Sequence, residues 1–298
     1  MPSAFVPFFT EKIMIRLFLP PEELTSQEIL IHGENAHYIS SVLRVKPGEP
    51  ITIFDGQGNR YICMINKIHK KEVIAEKIKT EMYSAESPIL IVLAQGIPKG
   101  DKMDFIVQKS TEIGVKKIIP LITERSQVQH TAKTERWRKI ALSASQQSGR
   151  EKIPDIEEAI TFENFLKKNE FYHPPLHPLP LREGTSEDAS QPCGQDSLIP
   201  SPLAAMARRG ECKGEGQIAI IFSEEQKEQN LKKILNSFKD TKNITLLIGP
   251  EGGFSDTETK MAIEKGFITA SLGPRILRTE TAALSAISIV QYELGDMG

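Results

Sequence analysis

The chain of 298 residues is 39% hydrophobic and 26% charged, with 37 Lys and Arg against 39 Asp and Glu for a formal net charge of −2. Those values suit about two globular domains with real cores and exclude a polycation; no apolar run approaches the ~18–20 residues of a membrane-spanning helix. Three cysteines (Cys63, Cys193 and Cys212) stand far apart, and no CxxC, HExxH or paired-histidine spacing occurs, which argues against a disulfide frame or a zinc site and for a reducing, cytoplasmic setting.

Residues 1–13 read as a loose extension ahead of MIRLFLP, which starts at Met14; no basic stretch precedes an apolar one, as a secretory signal would require. From 14 to 85 the chain is β-rich. RLFLP, ITIFDGQGNRYICMINKI and VIAEKIKTEMY are short β-branched runs, and DGQGN (55–59) between alternating runs predicts a hairpin loop. A helix is expected over HGENAHYISSVLR (32–44), with Ala36, Ile39, Val42 and Leu43 on one face. Acidic and basic residues number nine each in this region, so charge does not announce its role. A small barrel fits.

From Pro88 the grammar becomes alternating strands and helices. PILIVLAQG predicts a strand, and GDKMDFIVQKSTEIGV a helix closed by Gly114 with Met103, Ile106, Val107 and Ile113 on one side. KKIIPLITE is the next strand; TERWRKIALSASQQSG is a helix burying Trp137, Ile140, Ala141 and Ala144 and stopping at Gly149. Further on come strand QIAIIF, a helix opened by Ser223-Glu224-Glu225-Gln226, and strand ITLLIG. A helix opened by Ser255-Asp256-Thr257-Glu258, strand FITASLG and the apolar helix ETAALSAISIVQYEL complete the chain. The alternation implies an α/β fold with a mainly parallel sheet. Residues 173–216 break it with seven prolines and many Ser and Gly, and read as an inserted, disordered surface loop.

Charge is uneven along the chain. Between residues 93 and 152, 12 Lys and Arg face 6 Asp and Glu, the pattern of a solvated helical surface or of a footprint for phosphates.

LLIGPEGGFS (246–255) and LGPRILRTETA (272–282) share one feature: an apolar strand ends in Gly-Pro, 24 positions apart. As a βαβ unit in a parallel sheet they place both turns at the same carboxyl edge, where open α/β sheets take ligands. The glycines strip side chains from the loops, letting a ligand meet backbone N–H and C=O groups; the alternative is two sharp strand exits. The last helix, apolar nearly all round, is expected to be buried, with Arg278, Thr279, Glu280 and Thr281 facing that edge. Neither GxGxxG nor GxxxxGK[ST] occurs, so a pyrophosphate cradle is unsupported.

LLIGPEGGFS, LGPRILRTETAA, GIPKGDKMDFIVQKSTEIGV, ERSQVQ and RWRKIALSASQQSGR together resemble the bacterial ribosomal RNA small-subunit methyltransferase E family, in matching order over about 14–172 and 217–298. The resemblance implies an N-terminal PUA-like barrel (14–85) that positions RNA and a C-terminal SPOUT domain (86–298) with a trefoil knot, working as a homodimer. It implies methylation of N3 of one uridine in small-subunit rRNA, with S-adenosylmethionine as cofactor. The first loop is then expected to contact it through Ile248, Gly249, Glu251, Gly252 and Gly253. The second would use Leu272, Gly273, Ile276, Leu277 and Arg278, followed by Thr281 and Ala282, with Phe222 lining the adenine side.

Uracil N3 carries a proton and must lose it before attacking a methyl group, so the site needs a proton acceptor and a group that stabilises the resulting anion. Arg278 and Arg125 are the candidates for the second task, with phosphate binding or a surface ion pair as the competing reading. Glu251 and Glu280 are candidate acceptors, and bulk water is an equal one. Lys99, Lys102, Lys109, Arg136, Arg138, Lys139 and Arg150 are expected to meet rRNA phosphates, while Trp137 reads as core and His130 as ordinary. A non-catalytic RNA-binding protein and a transfer-RNA methyltransferase are the rival readings.

The motifs resume on either side of the insertion, so deleting 174–215 and rejoining the ends with a short Gly/Ser linker should preserve methylation. A folded, soluble deletion variant without methyl transfer to rRNA in vitro would show that the segment has a role.

Overall fold

In the computed structural model, which describes residues 15–69, 71–81, 85–128, 131–168, 217–223 and 230–298, the two grammars become two compact units. The N-terminal extension, the 173–216 insertion, His130 and the helix start at Glu224–Gln226 lie outside the described residues.

The first unit holds the residues up to Ser87 together with Met103–Ile118 and Ala132–Glu157. Its sheet contains β1 (Arg16–Phe18), β2 (Glu28–His32), β3 (Pro50–Phe54), β4 (Arg60–Ile68) and β5 (Glu72–Glu81), in the order β1-β3-β4-β5-β2. Among the described residues β1 and β3 pair in parallel, and the other three pairs are antiparallel. Period-two patterning turns Ile29, Ile31, Ile51, Ile53, Ile65, Val73 and Ala75 inward. The DGQGN turn forms as its sequence predicts: Asp55 Oδ1 accepts from the backbone N–H groups of Gln57, Gly58 and Asn59 at 2.8, 3.1 and 3.1 Å.

The helix expected over 32–44 is α1 (Gly33–His37) followed by a π-helical turn, Tyr38–Val42, in which Leu43 N–H donates to Tyr38 O. That wider turn rotates the chain out of the 3.6-residue phase. Ala36 and Ile39 are buried and Leu43 packs partly on the core, but Val42, expected beside them, is 60% exposed.

The same unit contains most of α2 (Lys102–Glu112) and all of α3 (Thr134–Ser148). Gly149, in the left-handed region at φ 80°, ends α3 as expected. Trp137 is core, its indole N–H donating to Asp104 Oδ1 at 3.0 Å.

Two buried carboxylates tie the chain after α3 to the rest of the first unit. Glu151 faces Arg16 of β1 at 3.4 Å and Arg60 of β4 at 3.8 Å. Glu86 accepts from Arg150 at 2.8 Å and pairs with Lys116. Burial pushes the Glu86 carboxyl up, yet the hydrogen bonds and charges of Arg150 and Lys116 outweigh it and hold it below its ordinary range. For Lys116 the balance goes the other way: burial outweighs Glu86 and lowers the ammonium. The pairing of Glu86 with Arg150, both nearly inaccessible, is the firmer of the two contacts.

The second unit comprises Pro88–Lys102, Ile119–Thr131 and Glu158–Gly298. Its sheet is built from β6 (Leu90–Gly96), β7 (Lys117–Ile122, which begins in the first unit), β10 (Gln217–Phe222), β11 (Asn243–Ile248) and β12 (Ile268–Ala270), in the order β12-β10-β11-β6-β7. Two short strands were not foreseen. β8 (Asp155–Ile156) and β9 (Ile160–Thr161) both lie parallel to β7, β8 on its first residues and β9 on its last. Strands β6, β10, β11 and β12 are near-continuous apolar runs because helices cover both faces of a parallel sheet. Those helices are α4 (Phe162–Lys167), α5 (Leu231–Ser237), α6 (Asp256–Glu264) and α7 (Thr279–Leu294). A core of Leu121, Phe162, Phe165, Ile221, Leu247, Phe254 and Phe267 fills one face.

The expected all-round burial of α7 is corrected. Ala283, Ala286, Ile287, Val290 and Gln291 are buried, but Tyr292 is 63% exposed and Leu284 and Ile289 are half-buried. The helix keeps an apolar face that the described residues do not cover.

Glu86→Gln should destabilise the protein by about 3–5 kcal/mol, because Arg150 and Lys116 keep their charges without the carboxylate. The folded carboxyl titrates below its unfolded counterpart. Its stabilisation is therefore complete above the ordinary Glu pKa of about 4.3 and is lost as pH falls through the lowered folded value. Denaturant unfolding at neutral and acid pH should show the variant's deficit shrinking toward acid pH.

Candidate active site

Strand β10 lies between β11 and β12 and is parallel to both, with Ile221 beside Leu247 and Phe222 beside Ala270. The carboxyl ends of all three therefore meet at one edge, and β6 joins them with Gln95 beside Ile248. Both Gly-Pro turns leave from this edge, as the βαβ reading requires.

The first turn is bare for an internal reason. Gly253 N–H donates to Pro250 O at 2.9 Å, folding the loop onto itself. A Cβ on Gly249 would stand 3.0 Å from Gly253 Cα, and one on Gly96 would stand 2.5 Å from Pro250 Cδ. Side chains are excluded there by neighbouring protein before any ligand is considered. The second turn differs. Gly273 has φ 110°, and its Cβ position has no heavy atom within 4 Å. Ser271 Oγ braces it by accepting from Gly273 N–H at 3.1 Å.

Charged groups gather on these loops. Lys102 Nζ donates to Glu251 Oε1 at 2.7 Å, and Lys99 N–H reaches both carboxylate oxygens at 3.2 Å. Partial burial raises the Glu251 carboxyl, but Lys102 and the backbone donors prevail and hold it below its ordinary range. Lys102 is raised, chiefly by the hydrogen bond to Glu251, and it feels Glu280 and Arg278 as well. Glu280, half-buried on the first turn of α7, keeps one buried oxygen without a partner. Arg278 is the exposed N-cap residue of α7, and Arg125 donates to Gly252 O at 3.0 Å. Both arginines named from the sequence thus stand at the loops, Arg125 already engaged.

Glu258 completes the capping box of α6 with Ser255 and also accepts from Glu124 N–H at 2.8 Å, tying the chain after β7 to the helix that follows the first loop.

The remaining expected contact residues sort by exposure. Ile248 is buried, so only its backbone is available, whereas Phe222, Leu272, Leu277 and Ala282 are half-buried. Thr281 is exposed, and Ile276 is 79% exposed. Sequence reasoning passed over Gln95 and placed Thr279 at the edge without a role; both are buried and both bonded to the first loop. The one polar side chain in the apolar run of β6 was the signal for Gln95.

The basic residues divide. Lys99 and Lys139 are exposed. Lys102 is paired with Glu251, Lys109 with Glu112, Arg136 with Asp104 and Arg138 with Glu135. Such surface pairs exchange partners at little cost, except that Arg138 is also held by Ile156 O, to which it donates at 3.0 and 3.2 Å. Arg150 is corrected: at 3% exposure, with Glu86, Thr111 O and Val115 O as partners, it is a structural cation and not a phosphate contact.

The class of this α/β chain is that of the RNA methyltransferases. The family described as "RNA methyltransferase domain" matches residues 85–175 and 199–291, and the "RNA methyltransferase PUA domain" matches 31–78. Among its relatives, "Ribosomal RNA small subunit methyltransferase E" of Buchnera aphidicola subsp. Schizaphis graminum is 32% identical over 96% of this chain and 97% of its own length. The Bacillus subtilis (strain 168) protein of that name is 29% identical over 91% and 94%. The crystal structure of the Neisseria gonorrhoeae enzyme bound to S-adenosyl methionine superposes with a TM-score of 0.73 at 31% identity, covering 96% of this chain and all of that one. The chain belongs to the ribosomal RNA small subunit methyltransferase E family.

Proposed function

We propose that this protein transfers a methyl group from S-adenosylmethionine to N3 of one uridine in small-subunit ribosomal RNA, and that the two Gly-Pro loops hold the cofactor. One observation carries the reading: two Gly-Pro loops, the first nearly bare of side chains, leave parallel strands at a single sheet edge, with two arginines beside them. Open α/β sheets bind ligands at that edge. The residues present fit the cofactor: the first loop offers backbone groups, while Leu272, Ile276 and Leu277 offer apolar surface beside the open space at Gly273. When bound, S-adenosylmethionine supplies an electrophilic sulfonium methyl.

The chain's own residues would perform the rest. With its N3 proton passed to Glu280 or to bulk water, uracil spreads its charge from N3 onto the flanking carbonyl oxygens, and the exposed guanidinium of Arg278 is suited to stabilise it. Arg125, engaged with Gly252 O, we assign to shaping the first loop. Glu251 we assign to the same task, since a carboxylate held below its ordinary range is a weaker proton acceptor. Lys99, Lys139, Arg136, Arg138, Lys109 and Lys102 are the candidates for meeting phosphates, which position RNA without reading bases.

The five-stranded sheet of the first unit serves as the RNA-positioning domain in this reading. The half-exposed apolar face of α7, with Ile289 and Tyr292, suits a second copy of the chain and so a homodimer. A trefoil knot around the loops and a cytoplasmic site of action complete the proposal.

Mass spectrometry of rRNA from a strain lacking the gene should show loss of one methyl from one small-subunit uridine, restored by the wild-type gene. Loss from transfer RNA alone would make the substrate assignment wrong. In vitro, Arg278→Ala should lower turnover by about 10²-fold at saturating RNA and cofactor. If only the salt dependence of RNA binding changes, Arg278 is a phosphate clamp. Gly273→Val, which adds a branched side chain at a positive φ, should abolish S-adenosylmethionine binding in calorimetry while circular dichroism stays native.

A further inference from the structure

We propose that Gln95 and Thr279 form a buried latch on the carbonyl of Gly249 that holds the first Gly-Pro loop in its binding shape and ties it to the end of the second. This inference rests on the assignment of those loops to the cofactor. Thr279 Oγ1 donates to Gly249 O at 2.6 Å. The carboxamide nitrogen of Gln95 donates to Thr279 Oγ1 at 3.0 Å and to Gly96 O at 2.9 Å, and reaches Gly249 O at 3.4 Å. Gln95 has 0% of its surface exposed and Thr279 is buried as well. One carbonyl thus gathers the end of β6, the end of β11 and the start of α7, the last of which is 30 residues further along the chain.

The orientation of the carboxamide is set by its partners. Turning it over would bring its oxygen against two carbonyl oxygens, so the nitrogen must face Gly96 O and Gly249 O. In that orientation Oε1 is buried and without a partner. An unmet acceptor is a cost that a purely structural position would shed by carrying an apolar side chain. The side chain is therefore committed to fixing the loop carbonyl. Thr279 directly follows Arg278, so the same contact sets the distance between the first loop and the guanidinium at the end of the second. Gln95 and Thr279 are positioning residues, acting through Gly249.

Thr279→Val keeps the shape and removes the hydroxyl; Thr279→Ser keeps the hydroxyl. Two measurements on the full chain test the latch: S-adenosylmethionine affinity by calorimetry, and amide hydrogen exchange of residues 251–254 without cofactor. Thr279→Val should weaken the affinity and speed that exchange by about five- to tenfold each, the worth of one hydrogen bond. Exchange in β10 and β11 should stay at the wild-type rate, and Thr279→Ser should restore both readouts to within about twofold. Gln95→Met, which removes the donor at similar volume, should move both readouts in the same direction and serves if Thr279→Val does not fold. Wild-type affinity and loop exchange in Thr279→Val would overturn the latch, as would equal impairment of the Ser and Val variants, which would make packing the cause. If Gly273→Val also binds S-adenosylmethionine normally, the cofactor assignment of the loops falls, and the latch with it. If Gly273→Val loses binding while Thr279→Val does not, the latch alone is wrong.

Discussion

The backbone of Gly249 and Pro250 is the meeting point on which the second unit depends. β6 ends against it through Gly96, whose missing side chain makes room for the Pro250 ring. β11 runs into it, and α7 starts from it through Thr279. Three segments far apart in sequence can converge only if no side chain intervenes and every donor present finds a carbonyl. The bare composition of the turn answers that packing demand first. Open space remains outside it, at Gly253 and at Gly273.

Carboxylates serve as joints in both units. Glu151 binds two strands of the first unit to the segment after α3, Glu86 binds that segment to the chain after β5, and Glu258 ties the chain after β7 to α6. Glu251 ties the first loop to Lys99 and Lys102. In each case an acidic side chain accepts from groups separated from it in sequence, and for Glu86 and Glu251 the cost of burial is outweighed by the donors. The local excess of positive charge between residues 93 and 152 is correspondingly reduced on the surface. Arg150 and Lys116 are used inside the fold, Arg138 is partly held by the Ile156 carbonyl, and Arg136 and Lys102 rest in surface pairs from which they are readily released.

The elements with strong local signals were legible. The strands of the second unit are apolar runs with sharp ends, and Gly149 and Ser255 mark a helix stop and a helix start by mechanisms that need only neighbouring residues. β8 and β9 were not legible because two residues carry no periodicity; their strand character comes from β7 beside them. Val42 was misplaced because a π-helical turn changes the phase of a helix without leaving a mark in the apolar pattern. The misreading of α7 has a different origin. An apolar sequence shows that a helix face avoids water, and it does not show what in the fold lies against each side of it.

The sequence by itself determined the two grammars, the order of the elements, the pair of Gly-Pro strand ends and the family resemblance that the comparisons bear out. These rest on local propensity or on residue order, both properties of a linear chain. Tertiary structure alone decided which charges are spent and which are offered. Arg150 and Arg136 look alike in the sequence, yet one lies between Glu86 and two backbone carbonyls while the other stands at the surface beside Asp104. It also decided that Gln95 and Thr279, separated by 184 positions, meet at one carbonyl. Burial and hydrogen-bond partnership are sums over residues distant in the chain, and no local pattern contains them.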